Sequence, residues 1–277
     1  MDGSTADGGS LAQDAQRRRF EFSFATGAEH GGPLRIVLAA DTAAGAAAFR
    51  VQDQGRYLWP GAEPLAAHLA RSFPVRGMAL LELGAGVGLA ACVAAAQRAR
   101  RIVATDFDER TLELLRENMA ANMAAHDDAE QTECVAAMLD WNTVVDPARR
   151  ALSAADRRAA LAAGLGIRDG DPSGALFDSI IGSDLIWDEE SASLLTAAAA
   201  ELLRICRGPD QIPFVLAFVE RSEYLRLFFE EQAKAHGLEI AVVQEHRSKP
   251  VQVTPKRWTK PQATFVLRIT LAQQAAP

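Results

Sequence analysis

Cysteine is scarce in this sequence. Its three cysteines, Cys92, Cys134 and Cys206, stand far apart and form neither a C-x-x-C pair nor a group with histidine. This spacing argues against a disulfide framework and against a cysteine-ligated zinc site, and it is typical of proteins from reducing compartments. We therefore expect an intracellular protein without a bound metal, located in the cytoplasm and also compatible with the nucleus.

Long apolar runs and an excess of basic residues are also lacking. No stretch reaches 18 uninterrupted apolar residues, so no membrane-spanning helix is predicted. The formal net charge of −7 argues against broad electrostatic binding to nucleic acid or to an anionic membrane. Residues 1–16 are small and acidic and have no apolar core of the kind that secretory signals contain. This segment is predicted to be a disordered tail.

Alternating phenylalanines near the N-terminus predict a β-strand. Phe20, Phe22 and Phe24 share one face, with polar residues between them. A turn rich in glycine follows, and residues 34–38 form a second apolar run, so the two segments predict a hairpin. We interpret residues 17–54 as an N-terminal β extension of a main domain over residues 55–277.

Apolar runs alternate with helical patterns through the main domain. The predicted strands cover residues 78–83, 102–106, 134–138, 177–183, 213–219, 238–244 and 263–271. This order predicts an α/β fold, a Rossmann-like doubly wound seven-stranded sheet whose last strand is antiparallel. Residues 143–174 are longer than a connection between strands requires and are interpreted as an insertion.

The most informative stretch is L-L-E-L-G-A-G-V-G-L at residues 80–89. An apolar strand ends in a turn with Gly84, Gly86 and Gly88 at alternate positions, and an alanine-rich helix follows. Glycine lets such a turn adopt positive φ and lets a ligand approach the backbone, while the helix start presents free N–H groups. Twenty residues after Gly86, Asp106 ends the next strand, where a carboxylate can accept hydrogen bonds from ribose hydroxyls. The stretch therefore predicts a nucleoside-binding βαβ unit.

The glycine spacing and a neighbouring carboxylate narrow the choice of nucleoside. The dinucleotide fingerprint is G-x-G-x-x-G/A, but Leu89 occupies its last position and the third glycine, Gly88, comes one place early. Glu82 precedes the turn, where its charge would repel a pyrophosphate and suit a cationic ligand with a free amine. Both features disfavour a nicotinamide-dependent oxidoreductase. A glycine-rich turn without any ligand is the other interpretation.

The segment E-L-G-A-G-V-G-L resembles motif I of the seven-strand S-adenosylmethionine (SAM)-dependent methyltransferases. The resemblance implies that SAM is the cofactor. The residues that it places at the cofactor in this part of the chain are Glu82, Gly84, Ala85, Gly86 and Asp106.

Two tryptophan motifs are similar to one branch of these enzymes, the methyltransferase family 16, which includes many protein-lysine N-methyltransferases. W-P-G-A from Trp59 resembles the W-P-[SGA]-[AG] element of that branch, and L-D-W ending at Trp141 resembles its L-[DT]-W pattern after the third strand. The resemblance implies that Trp59 helps to wall the cofactor and that Trp141 packs on the adenine ring. An indole stacked on a purine contributes about 1–3 kcal/mol. Core packing is the alternative role for both side chains.

The segment F-D-S-I-I-G-S-D-L-I-W at residues 177–187 resembles the family's F-D-L-I-L-[GA]-[AS]-D-[VIL]-[IL]-Y, whose D-x-x-Y end lines the methyl-acceptor channel. The resemblance implies catalytic roles for Asp184 and Trp187 and a cofactor contact for Ser183. Trp187 stands where the family has tyrosine, so the aromatic wall is kept and the phenolic hydroxyl is lost. For Asp184, an N-cap of the following helix is the alternative, and Asp188 is a second candidate for that role.

Together these motifs predict a SAM-dependent N-methyltransferase whose acceptor is a lysine side chain of a protein substrate. Two alternatives stay open: a methyltransferase for another nitrogen or a small-molecule amine, and a SAM-binding interaction protein that has lost catalysis. Nucleic acid and membranes are not expected as partners, and a monomer is the expected state. The cofactor motifs are specific, whereas the acceptor motif is not.

Overall fold

The computed structural model describes residues 16–26, 32–42, 51–126, 132–167, 175–206, 211–247, 252–254, 257–258 and 262–272. The predicted disordered tail lies outside these residues except for Gln16, which begins the first strand. No helix among the described residues combines the length and the apolarity needed to cross a membrane. The same part of the chain contains no group of three or more side chains that could hold a metal ion.

A hairpin precedes the main sheet, as the phenylalanine alternation predicts. Strands β1 (Gln16–Phe24) and β2 (Leu34–Thr42) pair antiparallel, with Phe22 opposite Ile36. Ile36 and Leu38 are fully buried against the rest of the protein, because period-two alternation places them on one face of the ribbon. The predicted N-terminal β-hairpin is therefore confirmed.

Seven further strands form one sheet in the order β5-β4-β3-β6-β7-β11-β8. They are β3 (Ala79–Leu83), β4 (Arg101–Asp106), β5 (Glu133–Met138), β6 (Ser179–Ser183), β7 (Phe214–Val219), β8 (Leu238–Arg247) and β11 (Ala263–Leu271). The first five are parallel, and β11 is antiparallel to both of its neighbours. Two short strands, β9 (Gln252–Thr254) and β10 (Arg257–Trp258), pair separately. The predicted doubly wound sheet with an antiparallel last strand is confirmed.

Helices cover both faces of this sheet. They are α1 (Ala62–Arg71), α2 (Leu89–Ala96), α3 (Glu109–Ala125), α4 (Trp141–Val145), α5 (Pro147–Arg150), α6 (Ala154–Gly164), α7 (Glu189–Cys206) and α8 (Glu223–Ala235). The first apolar core unites α1, α2, α3 and the hairpin, and the second unites α4, α6, α7 and α8. Because both faces are covered, β3, β4 and β7 are buried along their whole length, and β7 is apolar throughout, whereas β3 and β4 also bury charged side chains.

Two asparagines of α3 attach the hairpin to the domain. Asn118 Oδ1 accepts the Ala39 N–H at 2.8 Å, and its Nδ2 donates to the Ala39 carbonyl at 2.9 Å. Asn122 repeats this exchange with Val37 at 3.1 and 2.8 Å. Each side-chain amide thus pairs with backbone N–H and C=O groups on one edge of β2, as the backbone of a neighbouring strand would do.

The predicted insertion, residues 143–174, contains α5, α6 and most of α4 before the described segment ends at residue 167. It packs on α7 through the buried side chain of Leu161 and through an ion pair between Arg157 and Glu201. The boundaries of the insertion and of the main domain stay predictions.

The sheet order reverses between β3 and β6, because the chain leaves β3 for β4 on one side and later returns to β6 on the other. In open α/β sheets, such a switch point creates a crevice at the carboxyl ends of the strands, where ligands bind. The predicted glycine turn follows β3 at this point.

Candidate active site

The glycine turn after β3 combines a left-handed backbone conformation with close packing at Gly84 and Gly86. Gly84 and Gly86 have φ values of 55° and 54°, in the left-handed region. A Cβ atom on Gly86 would lie 2.9 Å from the Gly55 carbonyl oxygen, and one on Gly84 would lie 2.6 Å from Leu185 Cδ2. Between them, the Ala85 N–H donates to the Thr105 carbonyl at 2.8 Å and ties the turn to β4. The backbone of the turn is therefore held in place by close contacts on both sides.

Asp106 lies beside this turn at the end of β4. Its Oδ2 accepts the Gly86 N–H at 3.1 Å, and its Oδ1 accepts the N–H groups of Phe107 at 2.8 Å and Asp108 at 3.3 Å. The residue is 5% exposed, and burial raises the pKa of its carboxyl group above the ordinary value. The structure thus joins the predicted turn and the predicted acid directly.

Glu82 is the second carboxylate beneath the turn. It is 2% exposed and receives a hydrogen bond from the backbone of Ala91 in the first turn of α2. Among the buried side-chain oxygens of the described residues, its Oε2 alone has no hydrogen-bond partner. Burial, with a contribution from the charge of Asp106, raises the pKa of Glu82 to about 8. A cationic ligand group would supply the missing partner and favour the ionised form.

Apolar side chains surround the opening next to these carboxylates. Trp141 begins α4, and its Cζ2 atom would lie 3.7 Å from a Cβ on Gly84, so the ring reaches the turn. Phe107 and Met138 are 54% and 51% exposed, and Met138 is paired in register with Asp106. The sequence reasoning missed Phe107 and Met138. Their position at the carboxyl ends of two strands that border the crevice was the available signal.

Trp59 lies on the other side of the crevice, just before α1. Its Nε1 donates to the Gln54 carbonyl at 2.8 Å, and the Arg221 guanidinium carbon lies 5.9 Å from its ring centroid. Gly61, two residues later, donates its N–H to Asp184 Oδ2 at 3.1 Å. These contacts connect the Trp59 segment with the predicted acceptor side, and its contact with a cofactor stays a prediction.

Asp184 follows Ser183, the half-buried last residue of β6, and has a φ of 57°. Besides the Gly61 bond, Oδ1 accepts a hydrogen bond from Arg221 Nη2 at 2.6 Å, and the side chain is 1% exposed. The N-cap alternative is wrong, because the Ser191 N–H of α7 binds Asp188 Oδ1 at 2.8 Å instead. Both carboxylate oxygens of Asp184 therefore have protein donors.

Trp187 ends the same segment at the opening of the crevice. Its indole is 45% exposed, and its backbone N–H donates to Ser191 Oγ at 3.1 Å. The first turn of α7 thus fixes the backbone while the ring stays accessible. The catalytic roles of Asp184 and Trp187, and the cofactor contact of Ser183, stay predictions.

Arg221 is a further site residue that the sequence reasoning missed. It comes two residues after β7, and its Nη1 donates to the Ile186 carbonyl at 2.9 Å. A charged residue directly after a fully buried strand at the carboxyl edge of the sheet was the signal that could have indicated it.

A comparison with solved structures finds methyltransferases with partial structural similarity to this chain. One is a SAM-dependent methyltransferase from Agrobacterium tumefaciens, 14% identical, which covers 86% of this chain and 68% of its own with a TM-score of 0.47. Another is TYW2 from M. jannaschii in complex with AdoMet, 11% identical, which covers 85% of this chain and 83% of its own with a TM-score of 0.42. The strand order of the chain itself, not these similarities, defines its fold.

Sequence comparison gives a more direct result. A curated relative, "Protein N-terminal and lysine N-methyltransferase EFM7" of Gibberella zeae, is 25% identical over 209 residues, which are 72% of this chain and 71% of the relative. The family model described as lysine methyltransferase matches residues 48–156, which include Trp59, the glycine turn, Asp106 and Trp141. The resemblance to the family-16 methyltransferases is therefore confirmed, because residues 48–156 match the lysine methyltransferase family model.

Proposed function

We propose that this protein is a SAM-dependent N-methyltransferase that methylates a lysine side chain of a protein substrate. The observation that carries the proposal is the glycine turn joined to two buried carboxylates, Glu82 and Asp106, within the region that matches the lysine methyltransferase family. The name of the curated relative supports the acceptor, since that protein is described as a lysine N-methyltransferase.

The residues at the switch point fit SAM chemically. The free Oε2 of Glu82 suits an ammonium group, and Asp106 suits a ribose diol, since its carboxylate lies at the end of β4 beside the open turn. Phe107, Met138 and Trp141 offer apolar surface for an adenine ring. When bound, SAM would supply a methyl group on a sulfonium: an amine nitrogen would form a bond to the methyl carbon in line as the carbon–sulfur bond breaks and SAH leaves.

The acceptor side must hold a neutral amine. The ordinary lysine pKa is near 10.4, so most lysine side chains carry a proton at pH 7. We expect the exposed indole of Trp187 and the Trp59 ring beside Arg221 to contact the entering lysine. Apolar contact of this kind removes water from the amine and lowers its pKa. Asp184 lies at the base of this segment, where Arg221 and Gly61 hold its carboxylate.

A protein α-amino group is the second candidate acceptor, because the relative's name includes N-terminal as well as lysine methylation. An α-amino group has an ordinary pKa near 7.7–8.0, so it needs less desolvation to become neutral. The net charge of −7 fits a basic protein substrate better than nucleic acid. A monomer in the cytoplasm, or in the nucleus as well, stays the prediction from the sequence.

The proposal is tested in two steps. Calorimetric titration of S-adenosylhomocysteine (SAH), with NAD as the control ligand, should show binding of SAH alone. The Asp106→Asn variant should bind SAH more weakly, because its amide keeps the size but loses acceptor capacity. Tritiated SAM in a protein extract should then label a protein on lysine, identified by mass spectrometry. Failure of a folded sample to bind SAH, or label found only in small metabolites, would contradict the proposal.

A further inference from the structure

Arg221 connects three segments around the acceptor side of the crevice. Its guanidinium binds Asp184 Oδ1 at 2.6 Å and the Ile186 carbonyl at 2.9 Å, and it lies 5.9 Å from the Trp59 ring centroid. The side chain is 25% exposed, so it is partly shielded from water, which strengthens these charged contacts. A single side chain thus contacts the segment after β6 and the segment before α1.

The segment that Arg221 binds has a conformation that depends on such contacts. Asp184 has positive φ, which a residue with a side chain adopts at an energetic cost unless its surroundings hold it there. Its backbone N–H donates to the Ala217 carbonyl at 2.9 Å, and its two carboxylate oxygens bind Gly61 and Arg221. Three elements therefore fix one strained residue.

The same segment reaches both halves of the proposed site. The Leu185 side chain fits against two glycines, because a Cβ on Gly84 would lie 2.6 Å from its Cδ2 and one on Gly182 would lie 2.7 Å from its Cδ1. Two residues later, Trp187 presents its exposed indole at the opening. A shift of this segment would thus move the acceptor wall relative to the glycine turn.

We propose that Arg221 is a positioning residue for the acceptor: by binding Asp184 and the Ile186 carbonyl, it holds residues 184–187 so that Trp187 aligns the lysine for transfer. The inference rests on the proposed function. Under this inference Asp184 stabilises the segment and does not accept a proton from the lysine. Both of its carboxylate oxygens already accept hydrogen bonds, and its side chain is 1% exposed.

The fork of the guanidinium group is essential to this role. Arginine can donate to a carboxylate and a carbonyl at the same time from two nitrogens, whereas lysine offers one ammonium group. Arg221→Lys should therefore retain the charge but lose the planar geometry in which two nitrogens bind the two acceptors at once. Arg221→Ala loses both hydrogen bonds and also the contact with the Trp59 ring.

The matched control is Arg226→Ala. Arg226 is five residues further on, in the first turn of α8, is 30% exposed and binds Glu220 at 3.0 Å and Glu230 at 2.7 Å. Removing it deletes an ion-paired arginine of similar exposure whose partners are glutamates, Glu223 at 3.8 Å among them, rather than Asp184.

The experiment measures three quantities on each variant: SAH affinity by calorimetry, tritium transfer from SAM to protein in an extract, and hydrogen exchange of residues 184–187. Arg221→Ala should bind SAH like the wild type, transfer about ten- to a hundredfold less tritium, and exchange these amides about tenfold faster. Arg221→Lys should be intermediate, and Arg226→Ala should match the wild type in all three.

The outcomes separate this inference from the proposed function. Wild-type protein that neither binds SAH nor transfers label would refute the function, while the exchange measurement would still test the positioning of residues 184–187. Unchanged exchange or unchanged transfer in Arg221→Ala would overturn the inference. In the double variant Asp184→Asn/Arg221→Ala, transfer should fall no further than in the worse single variant, since both act through one network. Multiplying losses would overturn it as well.

Discussion

Replacing Glu82 with glutamine tests whether the buried carboxylate under the glycine turn is there for a ligand rather than for stability. Burial raises the pKa of Glu82 from 4.5 to about 8, so the folded protein holds this proton more tightly than the unfolded chain does. The stabilising effect of the bound proton is fully present below pH 4.5 and is lost as the pH rises through 8. Within that range, Glu82 makes the free energy of unfolding decrease with rising pH.

The size of the effect follows from the pKa difference. One pH unit corresponds to about 1.4 kcal/mol, which sets a ceiling of about 5 kcal/mol. Relaxation of the structure and entry of water around the ionised group reduce this, so we expect a loss of about 2–3 kcal/mol between pH 5 and pH 9. Glutamine has nearly the same shape, can accept the Ala91 hydrogen bond and does not titrate. Glu82→Gln should therefore be about 2–3 kcal/mol more stable than the wild type at pH 9 and similar to it at pH 5.

Urea unfolding at pH 5, 7 and 9, followed by tryptophan fluorescence, measures this difference, with Glu113→Gln on the exposed face of α3 as the control. The stabilised variant should also bind SAM more weakly, because the neutral amide no longer attracts an ammonium group. Equal pH dependence in Glu82→Gln and the wild type would show that folding does not raise the pKa of Glu82. A less stable variant at pH 9 would show that the carboxylate stabilises the fold, and either result would refute this reasoning.

Two further substitutions test the hairpin attachment and the adenine wall. Asn118→Ala should lower the free energy of unfolding by about 1–3 kcal/mol, because it removes the hydrogen bonds to the Val87 carbonyl and from the Ala39 N–H. Urea unfolding measures this free energy, and a value equal to that of the wild type within error would contradict the prediction. Trp141→Ala should weaken SAH binding by about 1–3 kcal/mol if the indole stacks on the adenine. Calorimetry measures this against Thr143→Ala on the exposed side of α4, and equal affinities would leave Trp141 with core packing alone.

The grouping of the glycine turn, Asp106 and Trp141 could be predicted because its signals are local in the sequence. The strand, the turn with Gly84 and Gly86, and the helix are consecutive, and Asp106 lies at the distance that one βαβ unit requires. Trp141 follows β5 closely for the same reason. In a parallel sheet, the carboxyl ends of neighbouring strands meet at one edge, so spacing alone brings these residues together.

The acceptor half could be predicted only in part because its contacts are remote in the sequence. Asp184 meets Gly61 across 123 residues and Arg221 across 37 residues. No periodicity or motif encodes such pairs, since they depend on how β6, β7 and α1 pack after the sheet has formed. The pairing of Asn118 and Asn122 with β2 was hidden for the same reason, although alternation predicts the hairpin itself.

The electrostatics of the switch point favour a cationic ligand independently of any motif. Glu82 and Asp106 are both nearly buried, each has a raised pKa, and the charge of Asp106 contributes to the rise at Glu82. A pyrophosphate placed here would add further negative charge in a region that water screens poorly, and it would raise both pKa values again. An ammonium or sulfonium group would lower them and would supply the partner that Glu82 Oε2 lacks. Binding of SAM should therefore release protons, and binding of NAD should require their uptake, which distinguishes the two ligands even where their affinities are similar.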